Sequence, residues 1–238
     1  MMLSGEEALR YSRHIKLPGF GTEGQLRLKS ARVLIVGVGG LGSPAAQYLA
    51  AAGVGTVALM DGDKVSLSNL QRQILHTTPD LGTAKVLSAS EKLHALNPQV
   101  RVEKIEQMLT SANARQTIYN YDFIIDATDS MEAKYLINDT CVTLGKPYSH
   151  GALLGYEGHV FTFIPGHADL RTIFGAPLAE GTLQTCSQAG VLGTAAGIIG
   201  LIQAAEAIKF FVGTGQLLTD RMLTVDTLSW EINCIKMS

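Results

Sequence analysis

Three glycines, four acids, a lysine and an arginine carry the chemistry this chain offers. Gly37, Gly39 and Gly42 fall in a G-x-G-x-x-G spacing, with Gly40 inside the same loop. The first glycine permits a tight turn, the second lets a phosphate approach the backbone, and the third lets a helix pack on a strand. Asp61 follows a second strand and can accept from ribose hydroxyls. Asp63, the polar string Ser68-Asn69-Leu-Gln-Arg72-Gln73, Lys85 and Asp126-Ala-Thr-Asp129-Ser130 come next. A nicotinamide dinucleotide needs the glycines and the acid, but has no use for a lysine and an arginine beside its pyrophosphate. A triphosphate does: Arg72 and Lys85 can neutralise charge on β- and γ-oxygens, and Asn69 can donate from its amide. Asp129 supplies the hard oxygen that Mg²⁺ prefers.

Taken singly, each residue has a plainer reading. The glycines could form a packing turn, Lys85 a solvated first-turn lysine, Arg72 a surface residue and Asp129 the N-cap of a helix over 131–144. Asp126 is expected to cap a buried strand end rather than touch a ligand. Gathered at one strand edge, the set points to a nucleotide site.

The elements that must hold these residues follow from periodicity. Residues 33–36 are apolar and mostly β-branched, a strand buried on both faces. Residues 44–52 form an alanine-rich helix whose N-terminal amides and positive dipole end face any arriving anion. Gly53 closes it, and 56–60 is the second strand. Upstream, helices are expected over 3–16, N-capped by Ser4 and ending in the basic Arg10-Tyr-Ser-Arg13-His, and over 22–30. Downstream come helix 83–96, strand 100–105, helix 111–119, strand 122–126, helix 132–144 and strand 147–152. Strand and helix in alternation call for a parallel sheet with right-handed crossovers. The pattern then changes: 147–154 and 157–164 alternate as a hairpin, and 165–188 has no clear period. Helix 190–212 and strands 222–226 and 230–235 complete the series. The expected fold is α/β, a Rossmann-like mostly parallel sheet with helices on both faces, extended by antiparallel strands in the C-terminal third. One domain covers 1–238: N-terminal helices to 30, a nucleotide-binding core over 31–152, and the extension over 153–238.

Composition bounds the function. A hydrophobic share of 46% against 17% charged in 238 residues fills a core and argues against disorder. A net charge of −2 gives no general electrostatic attraction to nucleic acid or an anionic membrane. The longest apolar run, 189–202, falls short of the roughly 20 residues that span a bilayer. Gln203, Glu206 and Lys209 then interrupt it, so a buried helix of a soluble protein is expected. The N-terminus lacks the apolar core of a signal peptide. Cys141, Cys186 and Cys234 form neither a disulfide framework nor a C-x-x-C pair, which places the chain in a reducing, cytoplasmic setting. Cys186 stands just before an expected helix start, where the dipole favours a thiolate; the plain alternative is a half-buried small residue.

Gly37-Val-Gly-Gly-Leu-Gly42, Asp61-Gly-Asp63, Ser68-Asn-Leu-Gln-Arg-Gln73, Lys85, Asp126-Ala-Thr-Asp129 and Thr185-Cys-Ser-Gln-Ala-Gly-Val-Leu-Gly193 together resemble the MoeB/ThiF/HesA adenylyltransferases, bacterial relatives of ubiquitin-activating enzymes. The resemblance begins at Arg10 and covers nearly the whole chain. It implies that MgATP adenylates the C-terminal glycine of a small ubiquitin-like sulfur carrier ending in Gly-Gly, with release of pyrophosphate. Asp61 would then bind ribose, Asn69, Arg72 and Lys85 phosphates, and Asp129 Mg²⁺. Arg13 would reach the triphosphate from the other half of a homodimer, and Cys186 would stand where some members bond to the activated carrier. Many members also carry two C-x-x-C pairs that bind zinc. Here Ile164-Pro-Gly-His167-Ala-Asp169-Leu-Arg171 has no cysteine and no second pair follows, so no zinc is expected. That departure weakens assignment to the molybdopterin or thiamine branches and points toward a specialised carrier activator, for example in a biosynthetic cluster. The competing classes are an NAD(P)-dependent oxidoreductase, a tRNA threonylcarbamoyladenosine dehydratase-like carboxylate activator, and a nucleotide-binding interaction protein.

Overall fold

A computed structural model describes residues 2–177 and 190–237. Ser4 and Glu7 cap the first helix reciprocally: the Glu7 N–H donates to Ser4 Oγ at 3.1 Å and the Ser4 N–H to Glu7 Oε2 at 2.7 Å. The helix expected over 3–16 is two helices, α1 (Gly5–Arg10) and α2 (Ser12–Ile15), divided at Tyr11. Tyr11 is pinned from far along the chain. Its buried ring fills the space a side chain at Gly53 would need, and its hydroxyl accepts from Asn97 Nδ2 at 2.8 Å. Helix α3 (Gly21–Ser30) then leads into the sheet.

Strand β1 (Arg32–Val36), helix α4 (Gly42–Ala52) and strand β2 (Thr56–Met60) form the first β-α-β unit. Helix α5 (Lys85–Leu96), β3 (Arg101–Ile105), α6 (Ala114–Tyr119), β4 (Phe123–Asp126), α7 (Met131–Leu144) and β5 (Tyr148–Leu154) continue the alternation. A two-residue Gly155-Tyr156 turn returns the chain into β6 (Glu157–Phe163), with Leu154 paired to Glu157. Short helix α8 (Leu170–Phe174), long helix α9 (Gly193–Val212), β7 (Arg221–Asp226) and β8 (Ile232–Lys236) complete the described chain. The eight strands lie in the order β3-β2-β1-β4-β5-β6-β7-β8, the first five parallel and the last three antiparallel. The expected α/β architecture with its antiparallel extension is what forms.

Strands β1, β2 and β4 are sealed on both faces over residues 33–36, 57–60 and 123–125, which is why those stretches are unbroken apolar runs. Val33, Ile35, Leu59 and Phe123 pack toward α4, α5 and α9, while Leu34, Val36, Met60 and Ile124 pack toward α6 and α7. The chain moves outward from β1 through β2 to β3, then crosses to β4 on the other side. This puts the switch point between the C-terminal ends of β1 and β4.

Helix α9 has 20 residues and is long and apolar enough to cross a membrane by length and composition. Its polar residues bind it to the sheet instead. Gln203 Nε2 donates to the Asp126 carbonyl at 2.7 Å and the Ser149 carbonyl at 3.0 Å. Glu206 accepts from Thr162 Oγ1 and the Leu218 N–H, both at 2.7 Å. Its small residues serve the same packing: a side chain at Gly200 would lie 2.2 Å from the Leu41 carbonyl, whereas Gly197 faces open space. Among the described residues, the aperiodic segment after β6 is held by long-range bonds. Asp169 caps α8, Arg171 forks onto Asp139 at 2.6 and 2.7 Å, and His167 pairs with Asp220 at 2.6 Å. His167 and Asp169 are thus both engaged within the fold.

Candidate active site

The glycine loop owes its shape to contacts no other residue type would permit. Gly37 has φ +92°, and a Cβ there would meet the Ala127 carbonyl at 2.6 Å. At Gly42, in the first turn of α4, a Cβ would lie 1.9 Å from the Gly37 carbonyl. The loop therefore closes tightly between β1 and α4, directly over the switch point.

A cavity of about 1020 Å³ opens beside it, the volume of a nucleotide with room to spare. Gly37, Gly39, Gly40, Asp61, Asp63, Arg72, Gln73, Lys85, Asp129 and Ser130 all line it. Asp61, only 6% exposed at the end of β2, accepts from the Val38 N–H and the Asp63 N–H, each at 2.8 Å. Lys85 opens α5 and is also only 6% exposed, so the solvated first-turn reading fails. Its ammonium is 2.8 Å from Asp63 Oδ2 and 3.8 Å from Asp61 Oδ2. Arg72 is half-buried with its stem over Gly40, and it donates to the Ser68 carbonyl at 3.1 Å. Gln73 is buried beside Gly39, and its Oε1 has no hydrogen-bond partner among the described residues.

Ser130, not Asp129, is the N-cap of α7, accepting from the Ala133 N–H at 3.2 Å. Asp129 is exposed on the cavity wall and free of the capping task. Ser68, Asn69, Gly42 and Arg13 stand outside the lining. Asn69 Oδ1 accepts from the Ser66 N–H at 3.1 Å, which leaves its amide hydrogens as the available donors. Arg13 is exposed on α2 and does not line its own chain's cavity. Cys186 lies outside the described residues, as does most of the string from Thr185 to Gly193.

Asp126 is more than a strand-end cap. Fully buried, it accepts from the Thr128 N–H at 3.1 Å, Thr128 Oγ1 at 2.7 Å, Lys134 Nζ at 3.2 Å and His150 Nδ1 at 2.9 Å. Lys134 also donates to the Gly151 carbonyl at 2.6 Å. Burial by itself would raise the Asp126 pKa; Lys134 and His150 reverse this and hold the carboxyl well below the usual range. His150 is stacked between Phe161 and His159, with ring centroids 4.8 and 5.3 Å away. Burial and Lys134 keep His150 neutral, and burial pushes His159 down to about 3. Lys134, His150 and His159 line the cavity floor and are absent from the motif set. The available signal was a lysine one turn into α7 and a histidine in each of β5 and β6.

Fold and cavity together define a Rossmann-like α/β protein with its site at the sheet's switch point. The profile of the ThiF family matches residues 11–238, and the chain belongs to that family. It is 44% identical over 236 residues to the maize adenylyltransferase and sulfurtransferase MOCS3-1, covering 99% of this chain and 50% of that protein. The chain thus spans about half the length of that relative. It is 44% identical over 234 residues to the sulfur carrier protein adenylyltransferase of Thermus thermophilus, covering 96% of this chain and 86% of that one. It is 42% identical over 235 residues to the SAMP-activating enzyme E1 of Haloferax volcanii, covering 99% and 87%. Among solved structures, PaaA matches with a TM-score of 0.83 at 26% identity, over 99% of this chain and 75% of PaaA. E. coli MccB with ATP matches with a TM-score of 0.85, over 96% and 72%; at 21% identity this speaks to the fold alone.

Proposed function

We propose that this chain is an ATP-dependent adenylyltransferase. It activates the C-terminal glycine carboxylate of a small ubiquitin-like sulfur carrier ending in Gly-Gly. A carboxylate oxygen of the carrier attacks the α-phosphorus of ATP, the bond to the β-phosphate oxygen breaks, and pyrophosphate leaves with that electron pair. No base is needed, since a C-terminal carboxylate is ionised at neutral pH. The work is positioning and charge neutralisation.

The observation that carries this reading is the pairing, on one wall, of a ribose acceptor with buried cationic charge. Asp61 sits at the end of β2 with Lys85 3.8 Å from it, and Arg72 lies over the glycine loop. Asp61 accepts ribose hydroxyls, Lys85 turns from Asp63 to the phosphates, and Arg72 and Asn69 hold the outer oxygens. The names of the Thermus and Haloferax relatives support the same activity and substrate class. Asp129, at the mouth and unused as a cap, and the unpartnered Gln73 Oε1 suit a hydrated divalent cation. Asp129 would hold Mg²⁺, which supplies charge neutralisation at the phosphate oxygens. Arg13, exposed and outside the lining of its own cavity, serves the triphosphate of a partner copy in a homodimer. The Cys186 thiolate attacks the glycine carbonyl of the acyl-adenylate, the bond to the phosphate oxygen breaks and AMP leaves with that electron pair. The carrier is thus held as a thioester before sulfur transfer. The test is exchange of labelled pyrophosphate into ATP, run with carriers ending in Gly-Gly and with the same carriers lacking the last glycine. Exchange only with the intact end is expected; equal exchange with both would remove the carrier glycine as substrate.

A further inference from the structure

His76 lies just beyond the Ser68–Gln73 string and has no part in the reading above. It is only 4% exposed, and both ring nitrogens are bonded. Nε2 is 3.1 Å from the Val38 carbonyl and Nδ1 is 2.9 Å from Ser88 Oγ. A carbonyl has no hydrogen to give, so Nε2 carries the proton and donates. Burial holds the ring below its ordinary pKa, so it is neutral and Nδ1 accepts from the Ser88 hydroxyl. Ser88 Oγ in turn accepts from Lys92 Nζ at 3.0 Å, and Lys92 is ion-paired to Asp80. A continuous hydrogen-bonded chain thus runs from α5 to the glycine loop.

Its end point is Val38, which is held from both sides. The Val38 N–H donates to Asp61 at 2.8 Å while the Val38 carbonyl is fixed by His76. In a trans peptide the carbonyl and the following N–H point in opposite directions. Fixing the Val38 oxygen against His76 therefore turns the Gly39 N–H away from His76. The Gly39 carbonyl is already committed to the Ser43 N–H at 2.9 Å, and Gly39 lines the cavity. No hydrogen bond among the described residues takes the Gly39 N–H.

We infer that His76 is a positioning residue of the nucleotide site, orienting the Val38–Gly39 peptide so that the Gly39 N–H is a fixed donor to phosphate. The inference rests on the ATP reading above. It predicts an effect confined to the phosphates, which adenosine lacks. It also predicts an asymmetry between two amides: glutamine can place its amide nitrogen where Nε2 stands, whereas asparagine reaches only the Nδ1 position.

The experiment is calorimetric titration of the full chain and its H76L, H76Q and H76N variants with MgATP and with adenosine. H76L and H76N are expected to weaken MgATP about tenfold, the loss of one hydrogen bond to an anion, with adenosine within twofold. H76Q is expected to stay within about threefold of the parent. MgATP binding by H76L at parental strength would overturn the inference, as would parallel loss of adenosine, which marks a purely structural role. Should H76L not fold, equal MgATP affinities in H76Q and H76N would overturn it as well. A parent chain that binds no MgATP would refute the underlying ATP reading, which separates the two failures.

Discussion

Replacing Lys85 by methionine removes one charge from the cavity wall and little else. The side chain is 7% exposed, with its ammonium 2.8 Å from Asp63 and 3.8 Å from Asp61. At an effective dielectric constant near 20, a unit pair 3.8 Å apart attracts by about 4 kcal/mol. A phosphate oxygen taking the place of Asp63 would gain a gross attraction of about 6 kcal/mol. Desolvation and the competing carboxylates consume part of this, and a single preorganised donor typically contributes about 3–4 kcal/mol at a transition state. Lys85→Met should therefore slow carrier-dependent pyrophosphate exchange by roughly 10²–10³-fold. The fold should survive, because methionine refills the buried stem and Asp61 keeps both backbone donors at 2.8 Å. The assay is exchange at saturating carrier, beside a thermal melt of the same preparation. Exchange within threefold of the parent, in a variant that melts normally, would refute the assignment of Lys85 to the phosphates.

Three further outcomes follow from the geometry. Gly42→Ala drives a methyl to 1.9 Å from the Gly37 carbonyl, so the loop must shift; a loss of about 2–3 kcal/mol, or roughly 5–10 °C in Tm, is expected with nucleotide affinity falling in parallel. Since Ser130 caps α7, Ser130→Ala should lower stability by about 1 kcal/mol in urea titration, while Asp129→Asn stays within about 0.5 kcal/mol yet weakens Mg²⁺-dependent ATP binding. His76, His150 and His159 are held neutral in the fold, His159 down to about 3, whereas the unfolded chain protonates them below about 6.5. The unfolded state therefore binds more protons, and stability falls as pH drops from 6.5, by at most about 1.4 kcal/mol per pH unit per histidine. Tm measured from pH 7 to 5 should decline before carboxylates titrate, and His159→Phe should flatten that decline.

What could be read from the sequence, and what could not, divides by range. Strand β1, the glycine loop, α4, β2 and Asp61 are one continuous stretch in which apolar runs and glycines determine structure locally, and they formed as expected. Lys85 and Arg72 were legible as residues, but burial of Lys85 against Asp61 depends on α5 packing across β2, which no local period encodes. The division of the first helix at Tyr11 is set by Asn97, 86 positions away. The Asp126–Lys134–His150 cluster joins β4, α7 and β5, so its meaning exists only once the strand order is known. Helix α8 has five residues and no usable period; its Asp169 cap and the Arg171–Asp139 fork are what hold it.

The central claim, that this cavity holds a triphosphate while a carrier's glycine attacks its α-phosphorus, is tested most directly by mass. A Gly-Gly-ending carrier incubated with the chain and MgATP, with pyrophosphatase present, should gain one adenylyl group at its C-terminus. A carrier returned unmodified from a chain that binds NADH in preference to MgATP would contradict it.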